Sequence, residues 1–209
     1  MQFIHKYLNI ESQIFVIMIK EEIRILGIDD GPFTKNDKEV IVIGVIFRGG
    51  EFLDGVLRTY VTVDGLDATE KLSKMINSSK HKQQLKVIML DGITLGGFNI
   101  VDIKKLYSEV KIPIIVINRK APDLNSIRIA LEKNFDDFEK RWKMILNAGK
   151  INQIKLEKFS IYYQNIGIDN EEAEEIILIS TRHAQIPEPL RVAHIIASGV
   201  VKGESEGHA

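Results

Sequence analysis

Two apolar stretches of the chain end in the same way, with an aspartate next to a glycine turn. The segment IRILGIDDG (23–31) carries Asp29, and the segment VIMLDG (87–92) carries Asp91. Apolar runs of this length between turn residues are typical of strands that are buried on both faces, as in parallel or mixed sheets. If the two strands are neighbours, the backbones at Asp29 and Asp91 lie about 5 Å apart. The sequence therefore predicts an α/β protein with two carboxylates at one edge of its sheet.

Two carboxylates this close repel each other unless a proton or a cation lies between them. Mg²⁺ prefers oxygen ligands and often takes only one or two carboxylates from the protein, with water and substrate phosphate as the other ligands. The pair therefore predicts a site for Mg²⁺ or Mn²⁺. For each residue taken alone an alternative stays open, because Asp-Gly is a common turn dipeptide and an acid after a strand often caps the next helix.

The composition of the chain excludes several classes of protein. Hydrophobic residues make up 44% and charged residues 27% of its 209 residues, which is ordinary for a globular protein with a core. Cysteine is absent, so disulfides, thiolate metal sites and a cysteine nucleophile are excluded. A net charge of −1 does not fit a protein that coats nucleic acid through a general basic excess. Any contact with phosphates then requires a local basic patch.

The N-terminal residues are expected to lie outside the fold. The run IFVIMI (14–19) is too short to span a bilayer, and it lacks the basic leader and cleavage site of a signal peptide. We therefore expect a cytoplasmic protein with no membrane partner. Residues 1–17 are interpreted as an extension, and residues 18–209 as a single domain.

The hydrophobic pattern predicts three strands followed by alternating helices and strands. The three strands are expected at 23–29, 40–47 and 56–63, and the glycines between the last two favour an antiparallel meander. The later elements are a strand at 87, a strand at 112–117, and helices at 69–76, 100–110, 124–146 (broken near Asn134), 170–180 and 190–201. Residues 152–166 fit either a strand or an irregular loop. This order is that of the ribonuclease H-like fold, in which the first strand is central and pairs in parallel with the strand at 87.

Several blocks of the sequence resemble one archaeal family. These blocks are ILGIDDGPF, RTYVTVDGLDAT, VIMLDGITLGGFNIVD, PIIVINRKAPD and PEPLRVAHIIASGVVKGES. They resemble the endonuclease dU family over about residues 20–206, and that family is itself similar to endonuclease V. The resemblance implies a nuclease with a divalent metal that acts on DNA at deoxyuridine or related deaminated bases.

A third carboxylate is expected from the end of the third strand. That strand runs in the same direction as the first, so Asp64 and Asp67 reach the edge that carries Asp29. In endonuclease V the third acid lies near the start of the next helix, which resembles the position of Asp67 more than that of Asp64. Both residues also have a structural alternative, with Asp67 as a helix cap and Asp64 as a turn residue. Because side chains alternate along a strand, Asp29 and Asp30 do not both point into one cleft. Asp29 is favoured as the bridging ligand by its position in the motif, and Asp30 as a residue that contacts metal through water or holds the loop at Gly31-Pro32.

The last helix carries a candidate for proton transfer. His194 shares one helix face with Arg191 and Ser198, and it resembles in location a metal-proximal histidine of endonuclease V. Such a histidine can take or give a proton during phosphodiester hydrolysis. The alternative is that His194 is simply exposed. Arg191 on the same face is a candidate for binding nucleic acid.

Three further residues are candidates for contact with nucleic acid. Arg119 and Lys120 follow a strand that is expected to end at the same edge, where cations meet phosphates. The alternative is that both are merely solvated. Phe98 lies in the loop after Asp91 and would stack on a base flipped out of the duplex, unless it belongs to the core.

Together these residues predict hydrolysis of a phosphodiester by water activated by one or two metal ions. The predicted catalytic residues are Asp29, Asp91, Asp67 and His194, and the predicted metal ligands are Asp29, Asp91, Asp67 and Asp64. The expected partner is DNA that contains deaminated bases. The alternative is a non-catalytic module with the same fold that binds a nucleotide or a protein in the same cleft.

Overall fold

The computed structural model describes residues 22–156 and 159–205. The predicted extension at residues 1–17 and the predicted domain start at residue 18 lie outside the described residues. The strands are β1 Arg24–Asp30, β2 Glu39–Arg48, β3 Phe52–Thr62, β4 Val87–Asp91, β5 Thr94–Leu95, β6 Asn99–Ile100, β7 Ile114–Asn118, β8 Asn152–Lys155 and β9 Ser160–Ile166. The helices are α1 Ala68–Asn77, α2 Ile103–Val110, α3 Leu124–Asn134, α4 Phe138–Asn147, α5 Asn170–Ser180 and α6 Glu188–Lys202.

The sheet has the connectivity that the sequence predicts for a ribonuclease H-like fold. Seven strands pair in the order β3-β2-β1-β4-β7-β9-β8, while β5 and β6 form a separate pair. Strands β1, β2 and β3 form an antiparallel meander, and β1 pairs in parallel with β4. The predicted central position of β1 is confirmed.

The structure resolves the segments whose secondary structure the sequence predicted only ambiguously or approximately. Within residues 152–166, β8 and β9 pair antiparallel, and β9 adds to the sheet antiparallel to β7. The predicted long helix at 124–146 is divided into α3 and α4. The helix predicted from residue 100 begins later, at Ile103, because β6 pairs with β5 and Asp102 accepts the capping hydrogen bond from Lys105 N.

Helices cover both faces of the sheet. Helices α1 and α2 pack on one face around Leu72 and Leu106, and α5 and α6 pack on the other around Ile176 and Leu190. Helix α6 lies against β1 at Gly27, where an added Cβ would be 2.4 Å from the backbone of Pro189. This close approach fixes the later turns of α6 beside the carboxyl end of β1. None of the helices in the described ranges is long and apolar enough to cross a membrane.

Candidate active site

Asp29 and Asp91 end neighbouring strands at one edge of the sheet. The parallel register of β1 and β4 pairs Ile28 with Leu90, and the two aspartates follow immediately. Asp29 is only 5% exposed. The carboxylates open onto a cavity of about 560 Å³. The residues around it are Asp29, Asp30, Gly31, Pro32, Phe33, Asp91, Arg119, His194, Ser198 and Lys202.

Helix α6 brings His194 to the first carboxylate. His194 Nδ1 and Asp29 Oδ2 lie 2.9 Å apart. The hydrogen bond with Asp29, and then the charge of that carboxylate, raise the pKa of His194 above its usual value against the effect of partial burial. The imidazolium form is therefore favoured beside Asp29. The sequence placed His194 and Ser198 on one helix face, and both line this cavity.

Strand β7 brings Arg119 to the second carboxylate. Arg119 Nη2 lies 3.3 Å from Asp91 Oδ2. Burial, and then repulsion from Asp29, raise the pKa of Asp91 to about 6, although Arg119 and His194 act in the opposite direction. The two cationic neighbours therefore do not fully offset the cost of ionising Asp91 in this buried position.

Asp30 is a third carboxylate at the same cavity, and its partner is a distant loop. Asp30 Oδ2 accepts a hydrogen bond of 2.7 Å from Gly96 N, in the turn between β5 and β6. Burial and the charge of Asp29 raise the pKa of Asp30 to about 6, against the effect of the Gly96 hydrogen bond. We expected Asp30 to hold a loop, and the loop it holds is the one after Asp91 rather than its own.

The structure does not bring Asp64 or Asp67 into the cavity. The Asp67 carboxylate accepts hydrogen bonds from Thr62 N, Thr62 Oγ1 and Asn99 Nδ2. These hydrogen bonds lower the pKa of Asp67 against the opposing effect of burial. Asp67 occupies the N-cap position of α1 but makes no capping hydrogen bond with its side chain. This arrangement differs from the predicted third metal ligand, because donors on β3 and β6 already use the Asp67 oxygens.

Asp64 likewise bonds to the β5–β6 loop beside the cavity and not to the cavity itself. Its backbone adopts a φ of 54°, and Asp64 Oδ1 accepts a hydrogen bond of 2.8 Å from Phe98 N. Asp64 N in turn donates to Gly96 O. Asp64 therefore binds the loop that holds Asp30. Its predicted role as a metal ligand, like that of Asp67, stays a prediction.

Arg141 holds the segments around Asp64 and Phe98 together, a structural role that the sequence interpretation missed. It lies on α4, is only 5% exposed, and pairs with Asp137 at 2.7 Å. Its guanidinium donates to three carbonyl oxygens at 2.7–3.0 Å, those of Asp64, Gly65 and Phe98. The signal in the sequence was weak, since one arginine on an amphipathic helix is usually solvated.

The other candidates for contact with nucleic acid lie apart from the carboxylates. Arg191 is held by Glu188 at 2.6 Å and lines a separate cavity beyond the start of α6. It is one turn too early on the helix to join His194. Lys120 is exposed and does not line the cavity of Asp29. The half-buried ring of Phe98 packs edge-on against Phe135 at 5.6 Å, as the core alternative predicted, and not in the cavity.

The chemistry of the donors fits a hard divalent cation. In the described part of the chain, no three carboxylate or imidazole groups already form a compact metal cluster. The carboxylates of Asp29 and Asp91 are oxygen donors that line this cavity. Asp29 Oδ1 accepts from Asp30 N at 2.9 Å and Asp29 Oδ2 pairs with His194, so a cation would share these oxygens with their present donors. Burial and the charge of Asp29 raise the pKa of Asp91, and a bound cation would favour its ionised form. Mg²⁺ characteristically binds through one or two carboxylates and keeps several waters.

The mixed sheet and the acidic cleft at its edge define a protein with the ribonuclease H-like fold of endonuclease V. Endonuclease V from Ciona intestinalis, solved with a DNA 24mer that contains inosine, superposes with a TM-score of 0.54 at 16% identity, over 81% of this chain and 82% of that one. The chain belongs to the endonuclease dU family, whose model matches residues 21–201.

Close relatives support this assignment to a family. A UPF0215 protein of Methanothermobacter thermautotrophicus is 52% identical over 97% of this chain and 99% of its own length. A crystal structure of a protein of unknown function from Archaeoglobus fulgidus is 40% identical, with a TM-score of 0.78 over 87% of this chain and 99% of that one. The chain is thus a member of an endonuclease family with an endonuclease V-like fold.

Proposed function

We propose that this protein is a metal-dependent endonuclease that cleaves DNA at deoxyuridine or related deaminated bases. The observation that carries the proposal is the convergence of Asp29 and Asp91 at neighbouring strand ends, with the pKa of Asp91 raised to about 6. Membership of the endonuclease dU family supports the choice of reaction and lesion. The inosine-containing DNA bound by the Ciona enzyme supports a deaminated base as the recognised feature.

Asp29 and Asp91 would hold Mg²⁺ or Mn²⁺ between their carboxylates. The chemistry that such an ion supplies is activation of the attacking water and stabilisation of negative charge on the phosphate. Asp30 keeps its carboxylate beside the pair through its hydrogen bond with Gly96 N. The three acids set a negative potential that draws a divalent cation and repels phosphate in its absence.

His194 and Arg119 have distinct roles in the proposed reaction. His194, whose pKa is raised by its hydrogen bond with Asp29, would donate a proton to the leaving oxygen. Arg119 lines the cavity and pairs with Asp91. Its guanidinium would also bind a non-bridging oxygen of the phosphate. Lys120 follows on the exposed side and would contact the next phosphate of the strand.

The test is a nicking assay with the purified full-length chain. End-labelled duplexes that carry one uracil, one hypoxanthine or no lesion are incubated with Mg²⁺, with Mn²⁺ or with EDTA. We expect cleavage of the lesion strand that requires the metal and is lost in Asp91→Asn. The matched control is Asp136→Asn, which removes an equal charge at an exposed turn between α3 and α4.

Three outcomes would contradict the proposal. They are no cleavage of any duplex with either metal, cleavage that persists in EDTA, and cleavage that survives Asp91→Asn. Binding of an oligonucleotide or nucleotide without any cleavage would instead support the non-catalytic module.

A further inference from the structure

An aromatic side chain that the proposed mechanism does not use lines the acidic cavity. Phe33 follows the Asp29-Asp30 pair by a few residues, lines the same cavity and is 38% exposed. An aromatic ring left in water beside a charged cleft loses the stabilisation that burial provides. A ligand with an apolar face would recover it.

The backbone on both sides of Phe33 is anchored. On the N-terminal side, Gly31 N donates to Ile41 O at 2.8 Å, and Pro32 restricts the next backbone angle. On the C-terminal side, Thr34 N and Thr34 Oγ1 both donate to Asp37 Oδ2, at 2.6 and 3.0 Å. The backbone that carries the ring is therefore held in place by hydrogen bonds, which reduces the conformational entropy lost when a ligand binds.

The ring of Phe33 differs from the other exposed aromatic rings in its surroundings. The guanidinium of Arg48 lies over Phe52 at 5.2 Å, and that of Arg58 lies over Tyr60 at 5.8 Å. Within the described ranges, no ring or guanidinium packs on Phe33 in this way. Phe33 lines the cavity that Arg119 and Lys202 also line.

We propose that Phe33 is a stacking platform for a nucleobase of the strand that enters the cavity. Proteins that hold single strands combine basic groups for the phosphates with aromatic faces for the bases, and every base offers a π-face. The arrangement of Phe33 beside Arg119 and Lys202 has both parts, and the cavity of about 560 Å³ has the size of a small-ligand site. The inference rests on the proposed function in that it takes the ligand of this cavity to be a nucleic acid strand.

Binding measurements on two oligomers separate stacking from contact with phosphate. The first probe is a short fluorescent single strand that contains uracil, and the second is an abasic deoxyribose-phosphate oligomer of the same length. Fluorescence anisotropy is read in Ca²⁺, which prefers oxygen ligands as Mg²⁺ does. We expect Phe33→Ala to weaken binding of the first probe about tenfold, which equals about 1.4 kcal/mol. Phe33→Trp should restore it.

The matched control is Phe52→Ala, which removes another exposed ring, 53% exposed against 38% for Phe33, at the start of the edge strand β3, and should leave both dissociation constants unchanged. Phe33→Ala should also leave binding of the abasic oligomer unchanged. Equal affinities for wild type and Phe33→Ala on the first probe would overturn the inference. An equal loss on both probes, or no binding of either probe by wild type, would overturn it as well.

The nicking assay run beside these measurements separates the two proposals. If wild type nicks the uracil duplex and Phe33→Ala binds like wild type, only the stacking platform is wrong. If wild type nicks nothing but its binding of the base-bearing strand depends on Phe33, only the proposed reaction is wrong.

Discussion

Replacing Asp91 with asparagine is expected to stabilise the metal-free protein while it removes the proposed activity. Burial and the charge of Asp29 raise the pKa of Asp91 from its usual 3.8 to about 6. Ionised Asp91 is therefore disfavoured in the folded chain by about 3 kcal/mol near pH 8, since one pKa unit corresponds to about 1.36 kcal/mol. Asparagine removes this cost but weakens the contact with Arg119, so we expect a net gain of about 1–2 kcal/mol in the free energy of unfolding.

The gain should depend on pH in one direction. Because the folded pKa of Asp91 lies above the unfolded one, the wild-type penalty is complete above about pH 6 and disappears as the pH falls toward 3.8. Urea denaturation in EDTA, followed by circular dichroism at about pH 8 and about pH 4, measures both limits.

The control is again Asp136→Asn, whose effect on the free energy of unfolding should stay within about 0.5 kcal/mol. If Asp91→Asn is no more stable than wild type at about pH 8 in EDTA, the electrostatic reasoning is refuted. The reasoning is also refuted if the difference in free energy of unfolding between Asp91→Asn and wild type grows as the pH is lowered.

Four further substitutions at three residues test the surroundings of the cavity. Arg141→Met should lower the free energy of unfolding by about 3 kcal/mol in urea, because the partly buried carbonyl oxygens of Asp64, Gly65 and Phe98 lose the donor that the buried guanidinium supplies. A loss below about 1 kcal/mol would contradict this. Asp67→Ala should cost about 1 kcal/mol, and since the pKa of Asp67 is lowered by Asn99 and Thr62, the cost should vanish as the pH falls through the folded pKa. A folded Asp67→Asn protein should still cleave, and loss of its cleavage with an unchanged free energy of unfolding would contradict a purely structural role for Asp67. His194→Gln should reduce the free energy of unfolding in EDTA below about pH 6 and lose this effect as the pH rises, because the folded pKa of His194 is raised. A difference that grows with pH in the same urea titration would refute that assignment.

The fold was largely predictable because its signals are local in the sequence. Apolar runs that end in turn residues located β1 and β4, and the change to helical spacing located α1 and α2. The segment 152–166 resisted prediction because a short antiparallel strand pair at the end of a sheet is specified by its pairing with β7 more than by its own pattern.

The geometry around the carboxylates was only partly predictable. Strand direction placed Asp29 and Asp91 together once β1 and β4 were taken as neighbours, and the resemblance to endonuclease V, not helix spacing, placed His194 near them. Hydrogen bonds between distant segments decided the rest. Asn99 reaches Asp67 across 32 positions, and Gly96 reaches Asp30 across 66. A local sequence pattern does not encode hydrogen bonds between such distant residues. A carboxylate with a structural role and one that lines the cavity therefore look alike in the sequence.

The most direct test of the central claim is the position of a bound ion. A crystal of the full-length protein is soaked in Mn²⁺, and anomalous scattering locates the metal. The account predicts a peak within ligand distance of the carboxylates of both Asp29 and Asp91. A peak only elsewhere, or none at saturating Mn²⁺, would contradict it.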